Sequence, residues 1–217
     1  MQEIIITEKP DTVSWEDIHL LLLEAHKQNI KKGIVNIYAQ MSGDKIKEKL
    51  GKEGRCWVAM DGDQLVGTVS VHFFIGRNWW NKGQKVAHSC FAGIIQKYQG
   101  IGILGQLNAK LVDYSKEHSV SIIEGDAAEN NHAILKVSLL GGYKAVDFFT
   151  SRSKHYSIKI AKWYGECPFT DQYINRRYKI SEKLTRWQYK PGKIERSLFV
   201  SLFCRTANKL VKYYYGE

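Results

Sequence analysis

The stretch that most constrains this chain runs from Gln96 to Leu107, where three glycines fall within a dozen residues. An apolar run, Ala92-Gly93-Ile94-Ile95, leads in as a buried strand would. Leu104, Leu107, Leu111 and Tyr114 follow at the spacing of one helical face. Strand, glycine turn, helix is a geometry in which unpaired backbone N–H groups converge on an anion. The helix dipole adds about half a positive charge at that end. The stretch therefore proposes a cradle for a phosphate or pyrophosphate.

Gly100-Ile101-Gly102-Ile103-Leu104-Gly105 satisfies the G-x-G-x-x-G spelling of a dinucleotide-binding turn, and Glu124 sits near the place of a ribose-binding acid. A second spelling is Gln99-x-x-Gly102-x-Leu104, introduced by Tyr98 and followed by a long amphipathic helix. It resembles the Q/R-x-x-G-x-G/A turn of the GNAT acetyltransferases, whose backbone amides hold the pyrophosphate of acetyl-CoA. A third reading gives the glycines a packing role only.

The order of the neighbouring elements separates the first two. Residues 3–7 read as a strand, and Ser14 to Lys27 as a helix opened by Ser14 and Asp17 in a capping-box-like pair, with Leu21, Leu22 and Ala25 inward. Asn36 to Gln40 is ambiguous, and Ser42 to Leu50 reads as a second helix. Trp57–Met60 and Leu65–Phe74, joined through Asp61-Gly62, form an antiparallel hairpin, with Gly67 a bulge candidate. A polar and aromatic loop holding Trp79-Trp80 precedes the strand Lys85–Ile95. A dinucleotide fold wants parallel strands with helical crossovers, so this hairpin is the wrong neighbour.

Downstream, Ile103–Glu117 reads as the helix and Val120–Gly125 as a strand. Asp126 to Asn131 reads as a polar link, and His132–Leu140 as a helix stopped by Gly141-Gly142. Tyr143–Phe149 and His155–Ile160 close as a hairpin. In GNAT proteins the link after this strand ends in Asn and the next helix in Gly-Phe or Gly-Tyr; Asn131 and Gly142-Tyr143 match in order and distance. The resemblance covers about residues 3–160. It implies a mixed α/β fold, a mostly antiparallel central sheet flanked by helices, in a domain spanning 1–162, with a helical extension over 163–217.

The resemblance also implies chemistry. Acetyl-CoA is the expected co-substrate, held by the amides of Gln99, Gly100, Ile101, Gly102, Ile103 and Leu104. The strand backbone at Gly93 and Ile94 faces the pantetheine arm, with the Ile94 N–H on the acetyl carbonyl and Asn131 bonding the arm from the other side. Asp126, five residues before the motif Asn, is the first candidate base, and His88 the second, with a near-neutral intrinsic pKa. Glu124 is expected on the opposite face if the strand runs straight through. The family commonly places a Tyr seven residues after the motif Asn as general acid. Here that residue is Ser138, so Tyr143 or a water becomes the alternative donor. Leu104 replaces the usual Gly/Ala and is expected to crowd the cradle slightly.

Charge adds a separate constraint. Residues 1–150 carry 17 basic and 17 acidic side chains, while residues 151–217 carry 15 and 5, so the net +10 falls in the last third. The extension runs from Trp163-Tyr164 through Arg176-Arg177 to a helix-like stretch with Phe199, Phe203, Leu210 and Tyr213 on one face and Arg205, Lys209 and Lys212 on another. An extra helix packed on the core is the plainest reading. A membrane-surface helix over 196–215 is the second. A site for an acidic acceptor, such as a nucleotide-linked sugar or a lipid-linked glycan precursor, is the third and the preferred functional one, and nucleic acid ranks last, since no nucleic-acid module is recognisable. Cys56, Cys90, Cys167 and Cys204 are scattered without a C-x-x-C pair, which fits reduced thiols, no metal site and a cytoplasmic location, with peripheral contact at the inner membrane surface as the variant.

The expected function is acetyl transfer from acetyl-CoA to a primary amine on a small or carrier-linked metabolite, an amino sugar in glycan synthesis being the favoured case. Two alternatives stand beside it: a catalytically weak CoA-binding sensor, suggested by Ser138, and aminoacyl transfer from charged tRNA. The oligomeric state is open.

Overall fold

Seven strands form one sheet in the order β1-β2-β3-β4-β5-β7-β6 in the computed structural model, which describes residues 3–32, 41–150 and 155–188. The strands are β1 (Ile4–Glu8), β2 (Arg55–Asp61), β3 (Gln64–Ile75), β4 (Lys85–Ile94), β5 (Ile122–Ala128), β6 (Lys144–Thr150) and β7 (Tyr156–Trp163). The helices are α1 (Trp15–Ala25), α2 (Lys27–Lys31), α3 (Gly43–Leu50), α4 (Ile103–Glu117), α5 (His132–Leu140) and α6 (Asp171–Gln188). Every strand pair is antiparallel except β4 with β5. The mixed, mostly antiparallel fold expected from the sequence is the one observed. The ambiguous 36–40 and the aromatic-basic stretch 196–215 lie outside the described residues.

Local chemistry explains the elements. Ser14 caps α1 as half of a true capping box with Asp17, and Ser42 caps α3. The β2–β3 hairpin slips register where Ala59 faces Gly67 but Met60 faces Leu65, so the extra residue lies beside the anticipated Gly67. One strand boundary differs from expectation. Asp126 to Ala128, read as a polar link, continue β5, because their backbones pair with Ser157 to Lys159 of β7. Cross-strand pairing overrides the polar look of that stretch.

The two sheet faces have different covers. Under α4, Leu107 and Leu111 pack on Trp57, Val69, Val71, Ala87 and Ile123. On the other face, Ile18 and Leu22 of α1 and Ile46 and Leu50 of α3 cover Cys56, Val58 and Phe91. Farther along that face, Trp80 and Ile174 of α6 cover Val86, Ile122 and Ala161. Helix α6 also closes the edge of the sheet. Phe148 N–H donates to Ser181 Oγ, and the Phe148 carbonyl accepts from the Ser181 and Thr185 hydroxyls. A strand edge that would otherwise offer free backbone groups is thereby protected.

Candidate active site

The parallel pair β4–β5 holds only from Val86/Ile122 to Ser89/Gly125. Beyond it β4 stays with β3 as far as Gly67/Ile94, while β5 stays with β7 as far as Ala128/Ser157, so the two strands splay into a gap. A bulge in β4 accompanies the splay. Pairing shifts between Thr68/Gly93 and Ser70/Cys90, and Phe91 takes a φ of 49°, an uncommon conformation for a bulky residue. Ile95 N–H donates to Val66 O. Alternation along the strand therefore turns the Ile94 N–H and C=O to the other edge, toward the gap. The Ile94 carbonyl accepts from Gln99 Nε2 at 2.9 Å, and the Ala92 carbonyl meets His26 Nε2 at 2.8 Å. Gly93 allows α1 this close: a Cβ there would lie 3.1 Å from Ala25 Cβ and from Leu22 Cδ2.

At the open end of the gap stands the glycine turn. Gly100 and Gly102 adopt φ of 83° and 88°, and Gly102 is the N-cap of α4 with no side chain capping it. The first amides of α4 are thus left for an outside acceptor, in a turn where added Cβ atoms at Gly100 or Gly102 would meet nothing within 4 Å. The residues present fit a pyrophosphate. Gln99 contributes differently from the expectation: its N–H is spent on Gln96 O and its side chain ties the turn to β4. Leu104 packs against the core beneath α4, so its bulk points away from the cradle. Gly105 argues against the dinucleotide spelling. That glycine should allow close helix–strand packing, yet a Cβ at Gly105 would also find nothing within 4 Å.

Side chains from four strands and one loop meet on the face that α1, α3 and α6 cover. Glu124, 2% exposed, accepts from Trp80 Nε1 at 3.1 Å and Asn81 Nδ2 at 3.0 Å. Its other oxygen meets Lys159 Nζ at 3.2 Å and His88 Nδ1 at 3.3 Å. Burial alone would raise the Glu124 pKa, but the hydrogen bond from His88, the Lys159 charge and the Trp80 N–H together bring it down to about 2. Burial likewise works against the charge on Lys159, and Asp126 and Glu124 overrule it and raise its pKa. Lys159 lies 2.5 Å from Asp126 Oδ1, and His88 Nε2 lies 3.9 Å from Asp126 Oδ2. The His72 ring stands 4.9 Å from the His88 ring, and burial, then the His88 charge, lower its pKa to about 4.

The register accounts for this gathering. His72 faces His88, which faces Glu124; Asp126 faces Lys159, which faces Asp147. Glu124 and Asp126 are two apart on one strand and share a face, which corrects the expectation that Glu124 points away. Asn131 caps α5 by accepting from Ile134 N–H, so its amide nitrogen is what remains to offer a ligand. Ser138 and Tyr143 are not brought into the row. Tyr143 packs in the apolar contacts on the α4 side, where burial raises its pKa. Sequence reasoning missed Lys159, Asn81, His72 and His26 as members of the site. Among the described residues no group of His, Cys, Asp and Glu is arranged to hold a metal ion.

Comparison with known proteins follows the same line. The model of the acetyltransferase (GNAT) family matches residues 15–137. No curated protein matches the chain by sequence. Arabidopsis thaliana NAA60 in complex with a bisubstrate analogue superposes with a TM-score of 0.60 at 14% identity, covering 75% of this chain and 99% of its own. An acetyltransferase from Streptococcus agalactiae gives 0.58 at 16%, over 76% and 100%. A GNAT family acetyltransferase from Elizabethkingia anophelis with acetyl-CoA bound gives 0.52 at 12%, over 76% and 100%.

Proposed function

The chain belongs to the GNAT acetyltransferase family, and from that premise we propose that it moves an acetyl group from acetyl-CoA to a primary amine on a small or carrier-linked metabolite, amino sugars foremost. The observation that carries this reading is the coincidence of an uncapped α4 N-terminus, a splayed β4–β5 gap and a carboxylate-held histidine on the adjoining face.

Acetyl-CoA supplies the activated thioester. The first amides of α4 hold its pyrophosphate, and the Ile94 N–H, facing the gap, polarises the acetyl oxygen. His88 rather than Asp126 takes the proton from the incoming ammonium. Ionised Glu124 can only accept a hydrogen bond, which fixes the Nδ1–H tautomer of His88 and leaves Nε2 free as the base. Asp126 is paired with Lys159 at 2.5 Å, a poor arrangement for a base, while the two carboxylates Glu124 and Asp126 outweigh the one Lys159 charge and draw a cationic amine toward Nε2. The thiolate leaves with a proton from water, since Ser138 and Tyr143 lie outside the row.

The test is to incubate the protein with acetyl-CoA and a panel of amino sugars, polyamines and short peptides, following thiol release and the mass gain of one acetyl group. Acetylation of one class supports the reading. CoA binding with no amine consumed would favour the sensor alternative.

A further inference from the structure

We propose that the cleft between β6 and α6 is a second binding site, continuous with the His88 row, that takes the hydroxylated ring of a sugar-like acceptor. This deepens the acetyl-transfer reading and rests on it. The cleft measures about 390 Å³ and is lined by Trp79, Asp147, Phe149, Thr150, Arg177 and Ser181 among others. That volume lies within the range of small-molecule sites, about 300–1,000 Å³. Its α6 wall, with Arg177 and Ser181, lies beyond the residues matched to the family.

Three observations tie the cleft to the chemistry. Asp147 is the register partner of Lys159, which bonds Asp126 and Glu124, so cleft and catalytic row are two strands of one surface. Phe149, in the cleft wall, has Lys159 Nζ at 5.8 Å from its ring. The loop that donates Trp80 and Asn81 to Glu124 also supplies Trp79 to the cleft. The order β4-β5-β7-β6 puts the cleft three strand spacings from His88, about 14 Å at about 4.8 Å each, so an acceptor with its amine at His88 reaches the cleft with a ring roughly two or three sugar units away.

The lining suits a hydroxylated ring. Trp79 and Phe149 give aromatic faces, with the Arg177 guanidinium 5.2 Å from the Trp79 ring. Thr150 Oγ1 is buried and finds no hydrogen-bond partner among the described residues. Asp147 adds a carboxylate already oriented by Ser181 Oγ and the Phe148 N–H. A peptide is the weaker fit, because the β6 edge it would pair with has its Phe148 N–H and carbonyl consumed by Ser181 and Thr185.

Saturation-transfer NMR on the CoA-loaded protein, with glucosamine as the probe, tests the cleft apart from turnover. Wild type should transfer saturation to the sugar ring protons. Thr150→Val and Arg177→Gln should each weaken glucosamine binding about tenfold, with melting temperature and acetyl-CoA affinity kept. In turnover, the ratio of kcat/KM for a glucosamine trisaccharide over ethylamine should fall by about the same factor. Wild-type glucosamine binding in both variants would overturn the cleft while leaving acetyl transfer standing. Saturation received by a short peptide in place of the sugar would overturn the sugar class. A glucosamine trisaccharide that binds in the cleft but is never acetylated would support the cleft and count against acetyl transfer to amino sugars.

Discussion

The two halves of the site are made from different materials. The cofactor half is backbone: the Gly100–Gly102 turn, the uncapped first turn of α4 and the unpaired edge of β4 past Ser89. The acceptor half is side chain: Glu124, His88, Lys159, Asp126 and Asp147, with Trp80 and Asn81 reaching in from a loop. Backbone amides in a left-handed turn depend on their glycines and little on the other side chains nearby, whereas a row of coupled charges tolerates almost no replacement. The halves should therefore separate cleanly under mutation, affinity for acetyl-CoA following one and turnover the other.

His88→Gln breaks the comparison hardest. A positioned base contributes about 10²–10⁴-fold, so turnover should fall by roughly that factor while acetyl-CoA affinity stays within about twofold of wild type. Steady-state kinetics beside a binding titration reads both numbers. Parallel loss would mean that His88 also holds the cofactor half together.

Glu124→Gln should reach both stability and rate. The carboxyl is depressed from 4.5 to about 2 in a nearly inaccessible position, a difference worth about 3 kcal/mol at neutral pH. With a depressed folded pKa, that stabilisation is present above about 4.5 and is lost as pH falls toward 2. Urea unfolding of wild type and Glu124→Gln at neutral pH and near pH 3 should show a gap that narrows in acid.

His72 sharpens the same point through pH. Its pKa of about 4 lies below the ordinary 6.5, because burial and the neighbouring His88 disfavour the charged ring. The unfolded chain binds that proton first, so the His72 contribution is whole above about 6.5 and shrinks as pH falls toward 4. His72→Gln should flatten the slope of stability against pH in that window. An unchanged slope would assign it to other groups, such as His26, whose pKa burial also lowers.

The smallest effect belongs to the backbone half. Gly105→Ala should leave acetyl-CoA affinity unchanged and stabilise the protein by up to about 1 kcal/mol, since a helical glycine gives way to alanine in open space. Loss of affinity there would reopen the question of what the third glycine is for.

This division also explains what could be read in advance. The cofactor half was legible because its requirements are local: positive φ demands glycine within a few residues, and α4, α5 and the β2–β3 hairpin announce themselves by periodicity and caps. The acceptor half depends on register among distant strands. Nothing in the sequence near Glu124 says that Lys159, thirty-five residues on, will stand beside it. The one local clue was the two-residue spacing of Glu124 and Asp126, and it was obscured by reading Asp126 as a link rather than as strand. A helical extension is expected where α6 lies, but its docking on β6 was hidden in another way. Its tie to the sheet runs through Ser181 and Thr185 hydroxyls on the β6 backbone, a contact no hydrophobic pattern displays.

The most direct test of the division is a calorimetric titration of acetyl-CoA into Gly102→Val beside wild type. A side chain at a φ of 88° costs about 1–2 kcal/mol of backbone strain and also places atoms in the cradle. The account predicts an affinity at least about tenfold weaker, in a protein that keeps its Glu124–His88–Lys159 row and loses no more stability than that strain. Wild-type affinity in Gly102→Val would contradict it, because the anion would then be held by something other than this turn.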